Sequence, residues 1–128
     1  TEKDKYKNLI KKNDLDETVQ LIGWVENVYD FIYSCDAYVS PSRFEGLGNA
    51  YIAAHILNKR CLSSKIGASI EINDLFKSGT VFEYNSLDFN NELINLLNSD
   101  EPEESDINKF TEHYCFKKYI DILEEVIY

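Results

Sequence analysis

Short runs of strand-forming residues alternate along this chain with stretches of helical periodicity, and that alternation leaves few folds open. The runs are Val19–Val25, Ala37–Ser40, Cys61–Ser64 and Thr80–Tyr84. Each is brief and rich in β-branched, aromatic or small apolar residues, as expected of strands in a parallel sheet. Between them lie helical patterns over 2–12, 28–35, 47–58, 69–77 and around 91–97, with a last one over 107–127. Val28, Phe31, Ile32 and Cys35 mark one helix face at i, i+3, i+4 and i+7. The last pattern sets Phe110, Tyr114, Tyr119, Ile122, Leu123 and Val126 on one side, and an acidic connection over 100–106 precedes it. Strands that alternate with helices pair in parallel through crossovers, so the expected fold is α/β: a doubly wound, Rossmann-like parallel sheet with helices on both faces. At 128 residues this is one domain.

Ligands of such sheets bind beyond the carboxyl ends of the strands. The second run is halted by Pro41 and leads through Ser42-Arg43-Phe44-Glu45-Gly46-Leu47-Gly48-Asn49 into a helix. Two glycines at a strand-to-helix turn let the backbone approach a ligand, and a helix start offers unpaired N–H groups to a diphosphate. The same glycines can also serve the turn alone. Glu45 is either a solvated charge or an acceptor for sugar hydroxyls, which an ionised carboxylate serves well. Arg43, the one basic residue of the loop, either meets phosphate or pairs with Glu45.

Taken together, several segments resemble one family. They are Val19–Gly23, Cys35-Asp-Ala-Tyr-Val-Ser-Pro-Ser42, Phe44-Glu-Gly-Leu-Gly48, the helix ending Asn58-Lys-Arg60, and Ile66-Gly-Ala-Ser-Ile-Glu71. Their order and spacing are similar to those of the C-terminal, donor-binding domain of retaining GT-B glycosyltransferases of the family 4 type. The tail from Phe116 to Glu125 is similar to the closing helix of those enzymes. The resemblance implies transfer of a hexose from a UDP- or GDP-sugar to a glycan or other acceptor, with Glu45 at the donor sugar. It places Ser42, Arg43, Gly46, Leu47, Gly48, Asn49, Gly67 and Glu71 around the donor, with the amides of Gly46 and Gly48 at the diphosphate. Glu71 alternatively only complements its helix dipole.

This sequence departs from the pattern in places. The family's second glutamate, assigned to the nucleotide ribose, falls at Ala53, which cannot accept a hydrogen bond. Losing a charge-assisted bond costs about 1.5–3 kcal/mol, or one to two decades of affinity. Asn58, Arg60 and Ala68 also replace family residues, and no segment supplies the family's basic pair for the donor phosphates. The expected partners are therefore a nucleotide sugar, a carbohydrate acceptor and a missing N-terminal domain of the same polypeptide. The 128 residues alone are expected to be inactive. A degenerate, non-catalytic binding module is the rival reading. In the family's strand order Val19–Val25 lies beyond two strands that precede Thr1; a rearranged order would pair it directly with Ala37–Ser40.

Composition narrows the remaining classes. A net charge of −10 and a pI near 4.6 argue against a nucleic-acid partner, which would need clustered cations. No run approaches the roughly 18 apolar residues of a membrane span, and the charged N-terminus lacks a secretory pattern. A cytoplasmic address follows. The chain lacks methionine, which either removal of an initiator or excision from a longer chain would explain. The three cysteines, Cys35, Cys61 and Cys115, are expected to be reduced core thiols. His55 reads as a buried structural histidine and His113 as a surface residue. The carboxylates show no metal-binding spacing, so no cofactor or metal is expected and any Mg²⁺ would arrive with the nucleotide.

Overall fold

A computed structural model describes residues 1–102. Its elements run α1 (Glu2–Lys12), α2 (Val28–Ser34), β1 (Ala37–Ser40), α3 (Asn49–Ile56), β2 (Arg60–Ser64), α4 (Gly67–Phe76), β3 (Thr80–Phe82) and α5 (Ser86–Asn98). The three strands form one parallel sheet in the order β1-β2-β3. Ala37 pairs with Arg60 and Ser40 with Ser63, while Ser64 pairs with Phe82. The carboxyl ends of the strands therefore lie together.

Alternation along β2 explains why helices cover both faces. Cys61 and Leu62 are fully buried neighbours that point to opposite sides of the sheet. Cys61 joins Ile32 of α2, Tyr51, Ile52, Ala53 and Ala54 of α3, and Ile72 of α4. Leu62 joins Phe82 and Leu96 of α5, with Val39, Phe89 and Leu93 packed around them. Burying a side chain such as Leu62 contributes about 1.5–3 kcal/mol. The fold is thus the expected α/β architecture, a Rossmann-like parallel sheet between helical layers.

Element edges shift for local reasons. Helix α3 starts later than the 47–58 pattern because Gly48 takes a left-handed conformation (φ 68°), and it stops at Ile56 before Asn58 (φ 53°). Helix α5 starts at Ser86, earlier than its apolar pattern, because the Asn85 side chain accepts from the Asp88 N–H at 2.8 Å. The turn expected at Ser78-Gly79 is present, with Gly79 at φ 89°. Of the 100–106 connection only 100–102 are described, and the last helical pattern, with Cys115 and His113, lies outside the described residues.

The largest correction concerns Val19–Val25, which forms no strand and does not pair with β1. Thr18 and Val19 donate to Leu15 O, which curls the chain into the run, and Gly23 at φ 79° breaks its extension. Val19, Leu21, Ile22 and Trp24 are exposed as a result. On α2 only Ile32 of the expected apolar face is buried, and Val28, Phe31 and Cys35 lie at the surface. Cys35 is therefore not a core thiol. Cys61 is one, and burial pushes its pKa up to about 12, which keeps it an unreactive thiol.

Candidate functional site

Beyond the carboxyl ends of β1 and β2, the loop Pro41–Gly48 and the start of α4 border a small crevice. Ser40, Glu45, Gly48, Tyr51, Ser63, Ile66, Ala68, Ser69 and Ile72 line it. Two of the residues singled out in sequence, Glu45 and Gly48, thus share one cleft. Gly48 is the N-cap of α3 and no side chain caps that helix start. Its positive φ is one that a residue with a Cβ rarely adopts.

Hydrogen bonds fix the carboxylate end of this crevice. Ser42 Oγ donates to Glu45 Oε1 at 2.7 Å, and Ser64 Oγ donates to the Ser42 carbonyl. Across the cleft Ser69 accepts from the Ile66 N–H at 3.3 Å and donates to Ser64 O at 2.7 Å. Tyr38, half-buried below, has its pKa raised first by burial and then by the negative charge of Glu45.

The other expected site residues are spread more widely. A Cβ added at Gly46 or at Gly67 would meet nothing within 4 Å, so open space and not close packing surrounds both glycines. Leu47 and Asn49 are exposed and do not line the crevice. Gly67 and Glu71 line a separate depression along α4 with Ile70, Asp74 and Leu75. Arg43 does not pair with Glu45: its guanidinium lies over the Tyr84 ring, 5.0 Å from the centroid. Ala53 sits 8% exposed in the apolar cluster. A carboxylate there would be buried among Ile32, Tyr51 and Ile72.

Sequence reasoning missed Tyr51, Ser63 and Ser69. Serines that end two adjacent strands were a usable signal, since parallel register brings Ser40 beside Ser63. Tyr51 is anchored from behind: its hydroxyl donates to Asn73 Oδ1 at 2.7 Å, and burial lifts its pKa to about 12. His55 is 1% exposed, lies 2.9 Å from Ser78 Oγ through Nδ1, stacks on Phe76 and meets Tyr51 edge-on. Burial pulls its pKa down to about 4. It is the structural histidine that the sequence suggested. Among the described residues no group of His, Cys, Asp and Glu could hold a metal ion, and no helix is long and apolar enough to cross a membrane.

The glycine-bearing loop and Glu45 lie at the carboxyl edge of a parallel α/β sheet, which is where domains of this class bind their ligands. The family model for glycosyl transferases group 1 matches residues 1–114, and the chain belongs to that family. It is also similar to the Staphylococcus aureus "Capsular polysaccharide biosynthesis glycosyltransferase CapH", with 32% identity over 76 residues. That match covers 59% of this chain and 21% of the relative, so the chain spans about a fifth of the length of the curated protein it matches. No solved structure matches the chain.

Proposed function

We propose that this chain is the donor-binding, C-terminal part of a retaining GT-B glycosyltransferase of the family 4 type. The observation that carries the reading is the shared crevice of Glu45 and the uncapped start of α3 at Gly48. Amides at that helix start would hold the diphosphate of a UDP- or GDP-sugar, and Glu45 would accept hydrogen bonds from the hexose. Stabilisation of the departing diphosphate by amides and cations is then the main catalytic effect. The acceptor is a glycan, in keeping with the capsular polysaccharide relative. The reaction takes place in the cytoplasm and without a metal held by this domain.

Transfer requires more than these residues. The family's N-terminal domain would supply the acceptor side, and strands from the same polypeptide would lie between β1 and the unpaired Val19–Val25. These 128 residues alone would not turn the donor over, because the acceptor side and the basic pair for the donor phosphates are not among them. Calorimetry of the full polypeptide with UDP- and GDP-sugars tests the proposal. Binding of one of them is expected, and Glu45→Gln should weaken it about ten-fold, as expected for loss of a charged acceptor. No heat at millimolar nucleotide sugar would remove the donor reading.

A second reading has its own observation. The crevice has room for about one water molecule, and Ala53 is buried where the family carries a ribose contact. Both fit a domain that has kept the fold as a non-catalytic interaction module. Failure to bind any nucleotide, with the fold intact, is its signature.

A further inference from the structure

Arg43 and Glu45 sit two residues apart on one exposed loop, yet their opposite charges do not meet. The ion pairs among the described residues join Thr1 to Asp4 and Lys65 to Glu83. Each loop charge is instead occupied in a different direction. Glu45 is bonded by Ser42 at the crevice, and Arg43 lies over Tyr84, just past the end of β3. The Tyr84 hydroxyl in turn approaches Pro41 O at 3.5 Å, which brings the ring against the base of the same loop. Pro41 and Tyr84 also line one apolar groove with Phe82, Asn85 and Phe89. Tyr84 is itself 58% exposed, and its ring tilts against Phe82 with the centroids 6.4 Å apart.

We infer that Tyr84 is a positioning residue for the proposed donor site: its ring holds the Arg43 guanidinium aside, so that Glu45 stays open to a sugar. The physical alternative is a local ion pair. Released from the ring, Arg43 would find Glu45 within reach on a loop whose Phe44 is 92% exposed and whose Gly46 has open space around it. A guanidinium fork would then cover the carboxylate oxygens that the hexose needs. A stacked cation at an exposed site and a surface ion pair are each worth about two- to five-fold in equilibrium, so the balance between them is fine enough for one ring to set it. This inference rests on the donor reading for its consequence but not for its geometry.

Two measurements on the full polypeptide separate the parts. Trypsin cleaves after Arg43 only when that side chain can leave the ring and enter the protease. Tyr84→Ala should raise the rate of cleavage at Arg43-Phe44 about two- to five-fold relative to cleavage after Lys11 and Lys12, while Tyr84→Phe, which keeps the ring and loses only the hydrogen bond between its hydroxyl and Arg43, should raise it less. An unchanged rate in Tyr84→Ala overturns the inference. The second measurement compares UDP-glucose and GDP-mannose with UDP and GDP by calorimetry. Tyr84→Ala should weaken only the nucleotide that carries a sugar, by up to about five-fold, and adding Arg43→Ala in the same chain should restore it. Equal losses with and without the sugar would make Arg43 a phosphate contact and overturn the inference. If wild-type protein binds no nucleotide, the donor reading falls and the role at Glu45 falls with it. The protease rates then still report whether the ring holds Arg43.

Discussion

Residues 1–36 and residues 37–98 are both rich in apolar side chains, but they use them differently. In the first stretch Ile32 alone is buried, and Tyr6, Leu9, Val19, Leu21, Ile22, Trp24, Tyr29, Phe31 and Tyr33 all face outward. In the second, β2 is sunk between two apolar clusters. The difference lies in backbone partners. Ala37–Ser40 and Val19–Val25 have comparable strand character, yet only the first has a neighbour to take its hydrogen bonds. An apolar run becomes a strand when a second strand is there to receive it.

The sharpest way to break this comparison is to charge the inner region. Ala53→Glu should destabilise the fold by about 3–5 kcal/mol in urea unfolding, because its carboxylate would be buried without a partner. A cost under about 1 kcal/mol would show that α3 is far looser than its burial suggests. Acid probes the same core through His55. Its folded pKa lies near 4, below the ordinary 6.5, so the neutral form is the one the fold accommodates. Above pH 6.5 the shift has no effect. As pH falls from 6.5 to 4 the unfolded chain takes up a proton that the folded chain refuses, and about 3 kcal/mol of stability is lost. Unfolding midpoints measured across that range should show the fall, and His55→Phe should flatten it.

Backbone space gives a smaller effect. A Cβ at Gly79 would lie 2.4 Å from Asn73 Oδ1 and 2.9 Å from His55 Cε1, at a φ of 89°. Gly79→Ala should cost about 2 kcal/mol, read as a lowered melting temperature. The outer region should give the least: Trp24→Ala is expected to change stability by no more than about 0.5 kcal/mol. A large loss there would mean that the first 36 residues are held more tightly than their exposure indicates.

Much of the inner region could be read from the residues themselves. Pro41 ended β1 in the right place, and Gly48 announced the turn into α3. Periodicity located α4 and α5 because their apolar faces do meet a sheet. The same logic failed at Val28, Phe31 and Cys35, where the spacing was helical but nothing covers the face. Periodicity reports what a segment can bury, and tertiary contacts decide whether it does. In the candidate site, Glu45 and Gly48 were identifiable from local chemistry. Tyr51 and the Arg43–Tyr84 contact were not, because they depend on approaches between residues as far apart as 43 and 84.

The single tryptophan gives the outer run a built-in optical reporter. Trp24 is 88% exposed in the folded chain, so its emission should already resemble that of indole in water and change little on denaturation. Fluorescence will therefore be nearly blind to unfolding of the sheet. It should respond instead to anything that comes to lie against residues 19–25, and a blue shift on adding a further segment or subunit would mark the moment when that surface is covered.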